Sequence, residues 1–330
     1  MGLTVAVTGP TGEIGISAVT ALEADPKVDR ILGMARRPFD PAEHGWTKTE
    51  YRQGDILDRD AVDALVADAD VVIHLAFIVI GSREEAERIN LAGTRAVFSA
   101  TIDAKRPTRM VYTSSVAAYG YHADNPLPLT EETPIRGTKE HYYSAQKAQC
   151  EEAIADLVAG TDLELFMLRP CIVAGPKAPA LANAMPWNML PGIATSAINA
   201  VPGLKVPFPD HGVPVQLVHH DDVAAAIALS ATTDAPAGAY NIAGDGTVSL
   251  TEIVDALGGR PVPVPSSAVK IAAEAVKRLP FMPSFFEWIH IGRTSVVMDT
   301  SKARDVLGWT PQFSAKDTLE ALAYARKSAE

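Results

Sequence analysis

Residues 3–22 read Leu3-Thr4-Val5-Ala6-Val7-Thr8-Gly9-Pro10-Thr11-Gly12-Glu13-Ile14-Gly15-Ile16-Ser17-Ala18-Val19-Thr20-Ala21-Leu22. The opening apolar run has the character of a strand buried on both faces. Ile16, Val19 and Leu22 then fall at helical spacing. Strand, glycine turn and helix in that order is the context in which such a turn binds a dinucleotide. Gly9 permits the tight turn, Gly12 lets the backbone approach a pyrophosphate, and Gly15 lets helix and strand pack closely. The helix N-terminus offers free N–H groups and the positive end of a dipole to phosphates. Taken without its flanks, the same pattern fits any glycine-rich strand-to-helix turn.

Working outward, strand and helix patterns alternate, which predicts an α/β fold with a parallel sheet covered on both faces. Strands are expected at 3–8, 30–36, 49–53, 70–76, 108–114 and 162–168, and helices at 12–24, 59–67, 84–104 and 141–159. After Arg169-Pro170 the pattern weakens into a stretch rich in Pro, Met and Trp over 175–214. Strand and helix character returns at 215–218, 221–231 and 239–243. The expected organisation is a Rossmann-type doubly wound domain over 1–174 plus 215–245. A smaller mixed C-terminal lobe over 175–214 and 246–330 would bind the substrate.

Composition narrows the function classes. The chain has 330 residues, 47% of them hydrophobic, enough for a large core. Its net charge of −11 comes with no basic stripe, which argues against nucleic acid and anionic membrane surfaces as partners. Two cysteines, Cys150 and Cys171, make no disulfide framework and fit a reducing, cytoplasmic compartment. No signal peptide is evident, and no apolar window reaches the ~20 residues of a membrane span. The expected partner is a small-molecule substrate, and a homodimer is compatible with the sequence. Nothing in the chain suggests a metal site.

Tyr143 and Lys147 lie four apart on an expected helix and so share one face. Of the eight tyrosines, Tyr143 alone has lysine at that spacing. A phenol with a pKa of about 10 is a poor acid or base near neutrality. An ammonium one turn away would lower that pKa and could also hold a ribose. Val111-Tyr112-Thr113-Ser114-Ser115 ends an expected strand, the place where ligands bind in open α/β sheets. A serine there can hold a carbonyl oxygen while Tyr143 donates the proton. It also suits a simple helix cap.

With these motifs in place the chain resembles the extended short-chain dehydrogenase/reductases of the NAD-dependent epimerase/dehydratase type. The matching elements are Thr8-Gly9-x-x-Gly12-x-x-Gly15, Gly54-Asp55-Ile56, His74-Leu75-Ala76, Asn90 with Gly93-Thr94, Ser115-x-x-x-Tyr119-Gly120, Tyr143-x-x-x-Lys147 and Leu168-Arg169-Pro170. Val218-His219-x-Asp221-Asp222-Val223, Tyr240-Asn241-x-Ala243-Gly244 and Leu307-Gly308-Trp309-x-Pro311 complete them. The resemblance implies a catalytic set of Ser115, Tyr143 and Lys147. Tyr143 is its general acid/base, Ser115 polarises the substrate carbonyl, and Lys147 holds the nicotinamide ribose. It further implies that Gly9, Thr11, Gly12, Glu13 and Ile14 cradle the cofactor and that Asp55 and Ile56 flank its adenine. Leu75, Ala76 and Thr113 would line the cofactor, and Pro170 and Val173 would face the nicotinamide. Asn90, His74 and His219 take structural positions.

The second expected strand ends in Ala35-Arg36-Arg37 with no carboxylate. A guanidinium suits a 2′-phosphate, so Arg36 and Arg37 point to NADP rather than NAD. The sugar epimerases commonly carry an arginine in the strand before the His-x-x-Asp segment, where this chain has Pro214-Val215-Gln216-Leu217-Val218. Apolar residues Leu181, Met185, Trp187, Met189 and Leu190, then Phe281, Met282, Phe285, Phe286 and Trp288, could wall a pocket or form the core of the lobe. The leading expectation is an NADP(H)-dependent oxidoreductase acting on a carbonyl or alcohol of a largely apolar molecule. The alternatives are a nucleotide-sugar epimerase/dehydratase with tightly bound NAD and a non-catalytic dinucleotide-sensing protein.

Overall fold

The computed structural model describes residues 2–79, 83–188, 205–210, 212–264 and 294–329. The N-terminal half runs β1 (Leu3–Thr8), α1 (Glu13–Ala24), β2 (Val28–Ala35), β3 (Thr49–Gln53), α2 (Arg59–Val66), β4 (Val71–His74), α3 (Arg83–Ala104), β5 (Arg109–Thr113), α4 (Tyr142–Val158) and β6 (Glu164–Pro170). There follow β7 (Ile172–Ala174), β8 (Pro207–Asp210), β9 (Pro214–Val215), β10 (Leu217–His219), α5 (His220–Thr232) and β11 (Gly238–Ile242). The chain closes with β12 (Val248–Ser249), α6 (Leu250–Ala256), β13 (Arg260–Pro263), α7 (Ser301–Asp305) and α8 (Ala315–Ala329).

Seven strands form one parallel sheet in the order β3-β2-β1-β4-β5-β6-β11. This is the expected doubly wound Rossmann-type α/β fold. The order reverses between β1 and β4, the point at which such sheets open a crevice. Side chains alternate across the sheet. Val5, Val7, Ile31, Ile73, Val111 and Phe166 pack beneath α1 and α5, while Ala6, Leu32, Val72, Met110 and Met167 pack beneath α2, α3 and α4. Burying each such large apolar side chain contributes about 1.5–3 kcal/mol. The small residues Ala224, Ala228 and Ala231 of α5 let it lie close to α1, and His220 Nδ1 meets Ser17 Oγ at 2.9 Å across the pair.

Most expected elements match to within two residues. The strand expected at 70–76 ends earlier, because Leu75 and Ala76 turn over the glycine loop, Leu75 N donating to Thr8 O at 3.1 Å. The strand expected at 162–168 continues to Pro170, in register with β11, where Pro170 faces Ile242.

A third cluster lies outside the seven-stranded sheet, built from Leu181, Met185, Trp187, Leu217, Ile253 and Leu319 among others. The indole N–H of Trp187 donates to Leu257 O at 2.9 Å. Of the two roles open to Leu181, Met185 and Trp187, the structure shows the core one, since all three are buried in this cluster. Met189, Leu190 and the aromatic run from Phe281 to Trp288 lie outside the described residues. The C-terminal segment is tied back to α5 by Asp222. Its carboxylate accepts the N–H groups of Gln312 at 2.8 Å and Phe313 at 3.1 Å, and its carbonyl accepts the Trp309 indole N–H at 2.9 Å.

Candidate active site

Every residue singled out as a candidate lies at, or just beyond, the carboxyl ends of neighbouring sheet strands, or on α4. Asp55 and Ile56 follow β3, Arg36 and Arg37 follow β2, and the glycine turn follows β1. Leu75 and Ala76 follow β4, Thr113 and Ser115 end β5, and Pro170 ends β6. Val173 lies just beyond, in β7, which pairs with β10. A line of sequence-distant residues thus becomes one continuous edge.

The glycine turn carries its own steric argument. Gly9 has φ +77°, and a Cβ there would lie 2.8 Å from Ala76 N. A Cβ on Gly15 would fall 2.1 Å from Gly9 O, so the helix could not approach the strand. At Gly12 the nearest atom to a Cβ is Gly9 O at 3.6 Å, and Gly12 caps α1 with no side-chain hydrogen bond. The N-terminal end of α1 thus faces outward with its dipole and backbone donors, which suits a pyrophosphate. Thr11 and Ile14 complete the turn, and the Glu13 carboxyl accepts the Ala180 N–H. Desolvation holds that carboxyl above its ordinary value.

Arg36 and Arg37 are exposed at the end of β2, as a 2′-phosphate site requires. The sequence did not reveal that Arg36 Nη1 pairs with Glu85 Oε1 at 3.3 Å from α3. Asp55 turns its carboxylate to the Leu57 N–H at 3.0 Å, and buried Ile56 packs against Gly93.

Ser115 sits in extended backbone before a short 3-10 turn, where its hydroxyl accepts the Ala117 N–H at 3.2 Å. Ser115 therefore caps a turn and also reaches Tyr143, with which it hydrogen-bonds. His141 caps α4 through Nδ1, taking the Ser144 N–H at 3.1 Å, so Tyr143 and Lys147 occupy its first two turns. Protein surrounding the phenol pushes Tyr143 up to about 12, and the bond from Ser115 acts in the opposite direction. Burial lowers Lys147 to about 8, against the pull of Cys150 and Glu151.

Lys147 is held by groups from the ends of β5 and β4. Lys147 Nζ donates to Thr113 O at 2.9 Å and reaches Tyr112 OH at 3.5 Å. It stands 3.6 Å from the centre of the Phe77 ring but 5.9 Å from that of Tyr143. Desolvation of the phenol outweighs the opposing hydrogen bond with Ser115.

Two features at this edge escaped the sequence reading. Glu151, one turn beyond Lys147, forms a buried pair with Arg169, Nη2 to Oε2 at 2.7 Å, and also accepts the Ser114 hydroxyl at 2.5 Å. Arg169 continues to Tyr119 OH at 2.9 Å, and Tyr119 donates to Asn241 Oδ1 at 2.7 Å. Phe77 is the second feature. It follows His74-Leu75-Ala76 in plain view, yet nothing in its spacing places it against Lys147.

The residues given structural positions do pack that way. His74 Nδ1 meets Thr8 Oγ1 at 2.7 Å and Nε2 meets Thr94 Oγ1 at 3.1 Å, and burial lowers it to about 3. His219 caps α5. Asn90 brackets Ile78, accepting its N–H at 2.8 Å and donating to its carbonyl at 3.0 Å. Beyond Ser115 lies a small cavity whose lining includes Val116, Tyr121, Ile172, Val215, Thr294 and Val296. Gln216 also lines it, with both ends of its amide bound to the Met298 backbone at 2.7 and 3.1 Å.

The model of the NAD dependent epimerase/dehydratase family matches residues 5–243. The chain belongs to this family. An uncharacterised protein of Mycobacterium tuberculosis is 24% identical over 329 residues, covering 96% of this chain and 82% of that one. The low-salt glycan biosynthesis protein Agl12 of Haloferax volcanii is 27% identical over 281 residues, 82% of this chain and 80% of its own. Among solved structures, MoeE5 in complex with UDP-glucose and NAD superposes with a TM-score of 0.71 at 23% identity, covering 99% of this chain and 100% of that chain. At that identity the likeness is one of fold. Among the described residues, no helix is long and apolar enough to cross a membrane.

Proposed function

We propose that this protein is an NAD(P)-dependent enzyme of the epimerase/dehydratase type that works on a secondary alcohol or its ketone, and that its substrate is a nucleotide sugar. The observation that carries the chemistry is the hydrogen bond between Ser115 and Tyr143 at the carboxyl end of β5, with Lys147 buried one turn along α4. The dinucleotide fits the residues present: the uncapped N-terminus of α1 suits its phosphates, and the buried Thr113 Oγ1 has no partner of its own. When bound, the nicotinamide supplies the hydride acceptor or donor. Tyr143 gives a proton to the substrate oxygen or takes one from it, Ser115 hydrogen-bonds that same oxygen, and Lys147 holds the ribose.

For the substrate, the relatives favour the sugar nucleotide over the apolar carbonyl that the sequence pointed to. MoeE5 holds UDP-glucose on the same fold. The apolar reading keeps one specific support. Segment 214–218, where the sugar epimerases commonly carry an arginine, has none; the Gln216 amide there binds Met298, and the cavity that Gln216 lines is otherwise walled mostly by apolar side chains. An unpaired diphosphate would be costly to desolvate there. Isothermal titration with UDP and with UDP-glucose, cofactor present, separates the two. Micromolar binding is the expected result, and no binding at millimolar ligand would hand the site to the apolar carbonyl.

The finer choice of NADP rests on Arg36 and Arg37. Converting both to Ala is expected to weaken NADP⁺ far more than NAD⁺. Loss of a charge-assisted hydrogen bond costs on the order of 1.5–3 kcal/mol, about 10–100-fold in affinity. Equal loss for both cofactors, or a native preference for NAD⁺, removes the argument. The Arg36–Glu85 pair adds a control, since Glu85→Gln frees Arg36 and is expected to strengthen NADP⁺ binding modestly.

A further inference from the structure

Lys147 has three N–H donors in a site that excludes water, the residue being 3% exposed. One donor has a good acceptor in Thr113 O, and a second reaches Tyr112 OH only at 3.5 Å. The remaining side of the ammonium is covered by the face of Phe77, its centre 3.6 Å from Nζ. Such a cation–π contact is strongest where the charge is desolvated. The same ring stands edge-on to Tyr143, centroid to centroid 5.7 Å at 89°. Phe77 therefore lies against both members of the Tyr143–Lys147 pair at once, with the ammonium nearer to its ring (3.6 Å) than to that of Tyr143 (5.9 Å).

The backbone around Phe77 is fixed. Ile78 is bracketed by Asn90 of α3, and the Val79 carbonyl accepts the Tyr142 hydroxyl of α4 at 2.7 Å. The half-buried Phe77 side chain is left as the element that can turn without loop movement. Its ring covers the face of Lys147 that any further hydrogen-bond partner must approach.

We propose that Phe77 is a single-residue cofactor gate, its ring covering the Lys147 ammonium and turning away to let the nicotinamide ribose take those N–H donors. This rests on the reading of Lys147 as the ribose-holding residue. Cofactor binding then competes with the cation–π contact, and the ammonium becomes available to the site only once the cofactor has arrived. Replacing the ring with a flexible apolar chain should make binding tighter, the opposite of what damage to a packing residue produces.

The test is equilibrium titration of NAD⁺ and NADP⁺ by calorimetry against the wild-type chain, Phe77→Leu and Phe77→Tyr. Phe77→Leu is expected to bind about tenfold tighter, equivalent to about 1.4 kcal/mol. Phe77→Tyr, which keeps a π face, is expected to stay within about threefold of wild type. Phe77→Met, also long and without a ring, serves in place of the Leu variant if that one does not fold. Equal or weaker binding by the variants without a ring overturns the gate, and so does a Tyr variant that matches them. Failure of the wild-type chain to bind either dinucleotide sinks the cofactor site itself, a different outcome from a wild type that binds and a Leu variant that gains nothing.

Discussion

Tyr143→Phe is expected to lower turnover by about 10²–10⁴-fold, the usual worth of a positioned proton-transfer group, while cofactor affinity stays within a few-fold of wild type. The change removes one oxygen and keeps the ring that packs against Phe77 and His141. Ser115 loses its partner, but its second bond, from the Ala117 N–H, holds it in place. Direction matters in the pH profile. With the phenol held near 12, Tyr143 is protonated across the neutral range and ready as an acid for ketone reduction. As a base for alcohol oxidation it must first lose that proton, so the oxidative rate is expected to climb with pH. A single-turnover measurement with saturating cofactor reads both effects. Near-wild-type turnover in the Phe variant would remove Tyr143 from the chemistry.

Arg169→Met is expected to destabilise the fold by about 3–5 kcal/mol, the cost of leaving one member of a buried ion pair uncompensated. The side chains of Arg169 and Glu151 are 8% and 6% exposed, which sets this pair apart from surface pairs such as Arg30–Glu50, worth about 1 kcal/mol or less. Deleting Arg169 strands Glu151 with the Ser114 hydroxyl and strips Tyr119 of a donor. The double variant Arg169→Met with Glu151→Leu is expected to regain much of the loss, because both charges leave the interior together. Urea unfolding midpoints of the single and double variants measure this. A loss under about 1 kcal/mol for the single change would show that the buried charges are solvated in some other way. The network joins α4, β6, β11 and Ser114 at the end of β5, next to Ser115, so its loss should also loosen the candidate site.

Local chemistry in the chain determined the architecture, because the relevant forces act between near neighbours. Short apolar runs alternating with helical patterns suit strands buried on both faces of a parallel sheet. Glycines at positions 9, 12 and 15 between a strand pattern and a helix pattern mark a tight strand–helix turn. Tyr143 and Lys147 share a helix face whatever surrounds them. These constraints were legible before any contact was known, whereas the edge position that lets β3 be polar came only with the sheet order.

Tertiary structure decided which way the side chains turn and what meets them. Leu181, Met185 and Trp187 are apolar in either role, and only their packing against Ile253 and Leu319 makes them core rather than pocket wall. Arg169 and Glu151 stand 18 residues apart and become a pair because β6 lies beside β5 and α4 covers that face. Lys147 bears a flexible stem whose charge settles where desolvation costs least. That place is the Thr113 carbonyl and the Phe77 ring, two groups contributed by the ends of β5 and β4. Sequence spacing along one helix carries no information about such partners, since they come from strands brought together only by the sheet.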